Sequence, residues 1–335
     1  MPSTSQPTVD GMTNHMMKAV LFDRFGGPEV LYVGEVPRPE PGPGEVLVRV
    51  RALSVNGGEL TVRSGRAAFV TGRKFPQRIG IDFTGEAVAL GPGGTGPEEG
   101  IAVGDRVWGV LGRTSLGSAA EYVTVRADRI GRIPDGLDLI EAAALPVGTT
   151  AVTALRDKAA LRRGERLLVR GAAGGVGNVA VQLGRARGAE VTGLARAANL
   201  DFVRELGARH AVDHRAVRPH DLGRFDVVLD TVGTELPAYR RLLRPGGRMV
   251  TITFDPSRPA ASLGRIAAST VHGRGRIRFF SGDPRRALLD DLAGYAADGT
   301  LRPAVDTVFP LERIGDAHRA LEAGGVRGKF VVRVG

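Results

Sequence analysis

An apolar run, RLLVR at 166–170, leads directly into the glycine-rich heptapeptide GAAGGVG at 171–177. A stretch with Val176, Val179, Ala180 and Leu183 on one helical face follows it. Strand, glycine turn and helix in that order make an anion site. Glycine lets the backbone turn tightly and come within contact of a pyrophosphate, and the helix start offers unpaired N–H groups and a partial positive charge. Against the fingerprint G-x-G-x-x-G the register is Ala172, Gly174 and Gly177, so alanine stands at the first glycine. No Lys-Ser/Thr pair follows, which excludes a Walker loop. The expected ligand is a dinucleotide, cradled by Ala173, Gly174, Gly175 and Val176.

The following strand, 190–194, bears on which dinucleotide. Sites for NAD end this strand with an acid, ~20 residues past the first glycine, that accepts from the ribose hydroxyls. Here LARAAN at 194–199 offers Arg196 and Asn199 and no acid. A guanidinium pairs with a 2′-phosphate, and His214 and Arg215, just past the third strand, are placed to join it. The expected cofactor is NADPH rather than NADH.

These segments sit in a chain of 335 residues, long enough for two domains. It has no cysteine, which removes disulfides, thiol nucleophiles, iron–sulfur clusters and thiolate zinc sites. The net charge is +10; four of the 46 basic residues are lysines (Lys18, Lys74, Lys158, Lys329), leaving 42 arginines, scattered along the chain. With aromatics at only 5%, the stacking platforms of a nucleic-acid binder are missing, so no nucleic-acid partner is expected. No run of 18 apolar residues occurs, so no membrane span is expected. Residues 1–16 lack the apolar core of a secretory signal and are expected to be a disordered extension; the expected location is the cytoplasm.

The elements that must position the phosphate turn fall into two patterns. Up to about residue 130, short strands (18–22, 45–53, 86–90, 106–110, 121–125) with Gly/Pro punctuation indicate an antiparallel β-rich unit, and the prolines at 37, 39, 41 and 43 argue against regular structure between the first two. From about 140, strands at 166–170, 190–194, 226–230, 248–252 and 276–280 alternate with helical stretches, the signature of a parallel sheet covered on both faces. Helices at 285–298 and 314–323 and a closing strand at 329–334 return to the first pattern.

Ten segments in order resemble one family: KAVLFDRFGGPEVL, PGPGEVLVRVRALSVNGGELTVRSG, GIDFTGEAVALG, VGDRVWGV, AAALPVGTTAVTAL, GAAGGVG, LDFVRELGA, FDVVLDTVG, LLRPGGRMVTI and RGKFVVRV. The chain resembles the zinc-independent medium-chain dehydrogenases/reductases, in particular quinone oxidoreductases of the zeta-crystallin type. The resemblance implies an α/β protein: a Rossmann doubly wound parallel sheet over 140–283 and a GroES-like β-rich catalytic domain formed by 17–139 and 284–335. It implies a homodimer or homotetramer, with 276–280 as a candidate edge.

The same resemblance implies a metal-free reaction. Where zinc members carry Gly-His-Glu, this chain reads Gly80-Ile81-Asp82, and Val55-Asn56 stands at their first cysteine ligand. Of the six histidines only His210 and His214 have a ligand-like spacing. Quinones and enones accept hydride without a Lewis acid, provided the nicotinamide is held against them and the developing oxyanion is stabilised. The resemblance places Asn56 and Thr150 at that chemistry, with Asn56 donating to the oxygen. It places Thr231, Val232, Thr253, Phe279, Ser281 and Lys329 around the cofactor. Several relatives carry a tyrosine where this chain has Thr61, so the proton source is open. Two further readings stand beside the NADPH-dependent quinone or enone reductase: an enoyl-thioester reductase, and a weakly active protein that binds NADPH or RNA.

Overall fold

The computed structural model describes residues 16–94, 100–112, 115–254, 264, 266–269 and 275–335. The extension expected at 1–16 lies outside these residues except for Met16, which begins the first strand. The first eight strands are β1 (Met16–Phe22), β2 (Tyr32–Pro37), β3 (Glu45–Ser54), β4 (Gln77–Arg78), β5 (Asp82–Leu90), β6 (Arg106–Val110), β7 (Tyr122–Arg126) and β8 (Ile130–Arg132). The next six are β9 (Arg166–Arg170), β10 (Glu190–Ala195), β11 (His210–Asp213), β12 (Phe225–Asp230), β13 (Leu243–Thr251) and β14 (Ile277–Phe279). The last two are β15 (Val305–Pro310) and β16 (Lys329–Arg333).

Strands β9 to β14 form one sheet in the order β11-β10-β9-β12-β13-β14, parallel throughout. Its central strands are apolar because both faces are covered: Leu167, Leu168, Val169, Val227, Val228 and Leu229 are fully buried. The chain leaves β9 toward β10 and β11, then returns to pair β12 on the other side of β9. The order therefore reverses between β9 and β12, which is where open α/β sheets open a crevice at their C-terminal ends. The turn after β9 is the glycine heptapeptide, so the sequence delivers its phosphate motif to this point.

The β-rich unit is built on the sheet β15-β16-β3-β5-β6-β8, with β7 also paired to β3, and on the small sheet β2-β1-β4. Its pairings are antiparallel apart from β15 with β16. The N-terminal and C-terminal stretches meet here, since Val331, Val332 and Arg333 of β16 pair with Ser54, Leu53 and Ala52 of β3. This is the GroES-like split unit. Helix Arg286–Ala297 packs across the two units: its Leu289 and Leu292 share a core with Trp108 of β6, Val169 of β9 and Val179.

One local expectation is corrected. The segment before the prolines is a strand, β2, with six residues in register against β1. Pro37 is its last residue and β2 is an edge, where the missing N–H costs nothing. The stretch after Asn56 is a helix, Gly57–Arg63. Inside helix Arg286–Ala297, Gly294 is exposed and a Cβ there meets nothing within 4 Å. Gly294→Ala is therefore expected to stabilise the protein by about 0.5–1 kcal/mol in urea unfolding, because only backbone entropy changes.

Candidate functional site

Gly171 ends β9 with a positive φ of 70°, and Gly174 N–H donates back to Gly171 O over 3.0 Å, closing the turn. Helix Gly175–Ala186 starts immediately after it with no side chain capping its first N–H groups. Those donors and the helix dipole are left for an anion. Gly328 N–H donates to Ala173 O over 2.7 Å, so the chain entering β16 is fastened to the same turn. The crevice beside it encloses about 610 Å³ and is lined from the parallel sheet by Gly171, Ala173, Gly174, Arg196, Asn199, His214, Thr231 and Val232, and from the β-rich unit by Leu321, Gly324 and Gly325.

Arg196, expected at the ribose end of a cofactor, lines this crevice. Arg196 lies just beyond β10, and its Nη2 donates to Ala323 O over 3.0 Å. Its guanidinium presses on Gly324, where a Cβ would come within 2.5 Å of Nη2. His214 lines the same crevice, and its Nδ1 donates to Ala195 O over 2.8 Å. Asn199 lines the crevice as well, whereas Arg215 departs from the expectation. The Asn199 amide donates to Gly325 O at 3.0 Å and accepts from Arg327 Nε at 3.2 Å, which makes it a seam between the two units. Arg215 is exposed, its N–H bonded to Asp213 Oδ1 at 3.0 Å, and it does not line the crevice.

A second cleft of about 470 Å³ shares Gly174 and Thr231 with the first and runs on between the units. Asn56, Thr61, Thr150, Gly175, Val176, Thr253, Ser281 and Lys329 line it. Phe280 lines it too, whereas the expected Phe279 does not: it is exposed and set edge-on to Phe254, ring centres 6.0 Å apart. A depression of about 630 Å³ lined by Arg224, Arg240, Arg241 and Arg244 lies at the N-terminal ends of β12 and β13, the end of the sheet opposite the phosphate turn.

Behind the second cleft stands a buried charge cluster. Lys329 Nζ donates to Val55 O and to Asn56 Oδ1, each at 2.7 Å. Asn56 Nδ2 faces Ser54 O, Glu59 Oε1 and Asp82 Oδ2, each at 3.0 Å. The ammonium on one edge and carboxyls on the other fix the orientation of this amide. Both its N–H groups are thus spent on protein acceptors, and the expected donation from Asn56 to a substrate oxygen does not match this geometry. Asp82 also accepts from Ser54 N at 2.7 Å. Burial pushes Asp82 up, opposed by Lys329 and the Ser54 hydrogen bonds. Burial also pushes Glu59 up to about 8, with Asp82 adding to the rise. The Lys329 ammonium is lowered by burial, against the pull of Asp82 and Glu59.

The far side of Glu59 is closed by His318. Its Nε2 is 3.8 Å from Glu59 Oε2, and its Nδ1 is 3.2 Å from Arg63 Nη1. A guanidinium can only donate, so Nδ1 accepts and Nε2 carries the hydrogen, aimed at Glu59. Burial, with Arg63 beside it, holds His318 down to about 3, so the ring is neutral. Arg63 in turn pairs with Glu322 and donates to Gly26 O at 3.2 Å. Sequence reasoning missed Ser54, Glu59, Arg63 and His318. Its available signal was Glu59 and Arg63 at i, i+4, a pair that a solvated helix shows equally well.

Two family models match: an alcohol dehydrogenase GroES-like domain over residues 42–135, and a zinc-binding dehydrogenase over 206–332, which runs from the parallel sheet into the C-terminal strands of the β-rich unit. Among solved structures, the quinone oxidoreductase from Coxiella burnetii is 30% identical, with a TM-score of 0.87, covering 96% of this chain and 100% of that one. The human mitochondrial NAD(P)H oxidoreductase RTN4IP1 is 29% identical, over 99% of this chain and 93% of its own length. The polyketide synthase GfsB of Streptomyces halstedii is 36% identical over 87% of this chain, which spans only 5% of that protein. The reversed parallel sheet, the glycine turn at its switch point and the split β-rich unit agree with these matches, and the chain belongs to the medium-chain dehydrogenase/reductase family.

Proposed function

We propose that this chain is an NADPH-dependent reductase that delivers hydride to quinones or α,β-unsaturated carbonyls without a metal. The observation that carries the reading is the continuity of the two clefts, one with an uncapped helix start and Arg196, the other walled by the Lys329 ammonium. NADPH, once bound, supplies the hydride. Gly174, Gly175 and Val176 hold its diphosphate, Arg196 and His214 its ribose phosphate. Thr150, Thr231, Thr253 and Ser281 border the reacting end. The donor set opposes zinc: the chain has no cysteine, and Asn56 Oδ1 is occupied by an ammonium that repels a divalent ion. We place the cofactor domain at 140–283, the catalytic domain at 17–139 and 284–335, and a homodimer contact at β14, the edge of the parallel sheet.

The deciding measurement is NADPH and NADH oxidation against 1,4-naphthoquinone, an alkenal and crotonyl thioester, with and without chelator. Turnover with NADPH and chelator, on quinone or alkenal, is the expected result; activity that disappears with chelator and returns with zinc would refute it. The likeness to a polyketide synthase favours one other reading, enoyl-thioester reduction, and the thioester arm decides it. Within the reductase, Arg196→Ala is expected to raise the KM for NADPH about tenfold or more through loss of a charge-assisted hydrogen bond, and to leave NADH nearly unaffected. Equal effects on both cofactors would remove Arg196 from the phosphate site.

A further inference from the structure

Hydride transfer to a carbonyl-conjugated acceptor leaves charge on oxygen, and something must protonate it. Twenty-one described residues line the cleft that borders the reacting end, and among them only Lys329 has a titratable side chain. Tyr32, Tyr122, Tyr239 and Tyr295 are absent from that lining, and so are the described histidines His210, His214, His220 and His318. Thr61, which stands where relatives place a phenol, bonds back to Gly57 O of its own helix at 3.4 Å. The Asn56 amide has no N–H to spare.

We propose that Lys329 is the proton donor of this cleft. The inference rests on the reductase reading above and names the group that completes its reaction. An ammonium has three N–H bonds; two go to Val55 O and Asn56 Oδ1, and the third remains for a ligand in the cleft. The side chain reaches this position because residue 175 is glycine: a Cβ there would lie 2.4 Å from Lys329 Cδ. As hydride arrives at the acceptor's carbon, the electron pair moves to its carbonyl oxygen. That oxygen forms a new O–H bond while one Lys329 N–H bond breaks. The lysine is left as a neutral amine and the cofactor oxidised; the immediate product is an enol, which tautomerises in water to the ketone or, from a quinone, to the hydroquinone.

The surroundings fit a lysine that gives up its proton. Burial lowers its affinity for the proton, and Asp82, reached through Asn56, pulls the other way. The return proton comes from water in the cleft. A route through His318 is closed, because its accepting nitrogen faces the Arg63 guanidinium.

The test uses the full-length enzyme with NADPH and its best acceptor. Lys329→Ala is expected to lower kcat by ~100-fold or more, the range of general acid catalysis. NADPH affinity, read by nicotinamide fluorescence, is expected to move far less. Methylamine and ethylamine should restore turnover at rates that follow the acidity of the ammonium. Lys329→Arg, which keeps the charge and the donor to Val55 O but releases no proton, should bind NADPH and stay slow. An active enzyme indifferent to Lys329→Ala overturns the inference alone. So does a loss that amines fail to restore and that tracks NADPH affinity in both variants, since Lys329 would then only hold the cofactor. A wild-type enzyme inert to every quinone, alkenal and thioester overturns the reductase reading and this inference with it.

Discussion

Gly177→Ala is expected to abolish NADPH binding and to cost the fold about 3 kcal/mol or more. A Cβ at residue 177 would lie 2.0 Å from Gly171 O, 2.8 Å from Gly171 C and 2.9 Å from Ala172 Cα. All three atoms are backbone of the phosphate turn, so no rotamer change relieves the overlap. The turn itself must open, and Gly171 cannot follow easily because it is held between Thr231 and the end of β9 at positive φ. Moving the turn also strains the Gly328 N–H to Ala173 O bond that joins the two units. Urea unfolding and nicotinamide fluorescence titration read the two effects separately. A variant of wild-type stability and affinity would mean the turn is not as close as these distances require.

The second large effect concerns pH. Glu59 has an ordinary value of 4.5 and stands at about 8 in the folded protein. Between those values the folded state retains a proton that the unfolded chain has released, so each rise in pH favours unfolding. This group's contribution is intact below about pH 4.5, declines up to about pH 8 and is level above it. At ~1.4 kcal/mol per pH unit the decline amounts to about 5 kcal/mol. Glu59→Met removes it: the variant should be more stable than wild type at pH 8 and differ little at pH 4.5. Asn56 keeps two acceptors, Ser54 O and Asp82 Oδ2, for its two N–H groups, so the substitution leaves no amide hydrogen unmade. Urea unfolding of both proteins across that interval is the measurement; curves that fall in parallel would show that Glu59 is not the titrating group.

What the sequence revealed and what it hid divide along a physical line. The phosphate turn was legible because its function is written in local backbone requirements, glycine at 171, 174 and 177 between an apolar strand and an amphipathic helix. Arg196 was legible for the same reason, as the residue just past the next strand. The strands β6 and β9 and helix Ile314–Ala323 fall where periodicity placed them. Strand β15 was missed because its exposed Asp306, Thr307 and Val308 show no apolar alternation, its pairing being with β16 at a sheet edge. The buried cluster was hidden more deeply. Ser54, Glu59, Asp82, His318 and Lys329 come from three distant stretches, and their roles depend on contacts up to 274 residues apart. Asn56 shows the same limit: its place in the cleft was foreseen, but the direction of its amide depends on Lys329 and the two carboxyls.

Strand β3 lies between β16 and β5 in its sheet, yet Ser54 and its partner Val331 are 277 residues apart. On the ribosome, at ~5–20 residues per second, that edge of β3 waits tens of seconds for its neighbour. The parallel sheet, contiguous in the chain, has all its strands long before. The nascent protein therefore passes through a state with a complete parallel sheet and a half-built second unit whose open edge invites chaperones or aggregation. A chain halted before Lys329 would keep that edge of β3 unpaired and would lack the Lys329 wall of the second cleft.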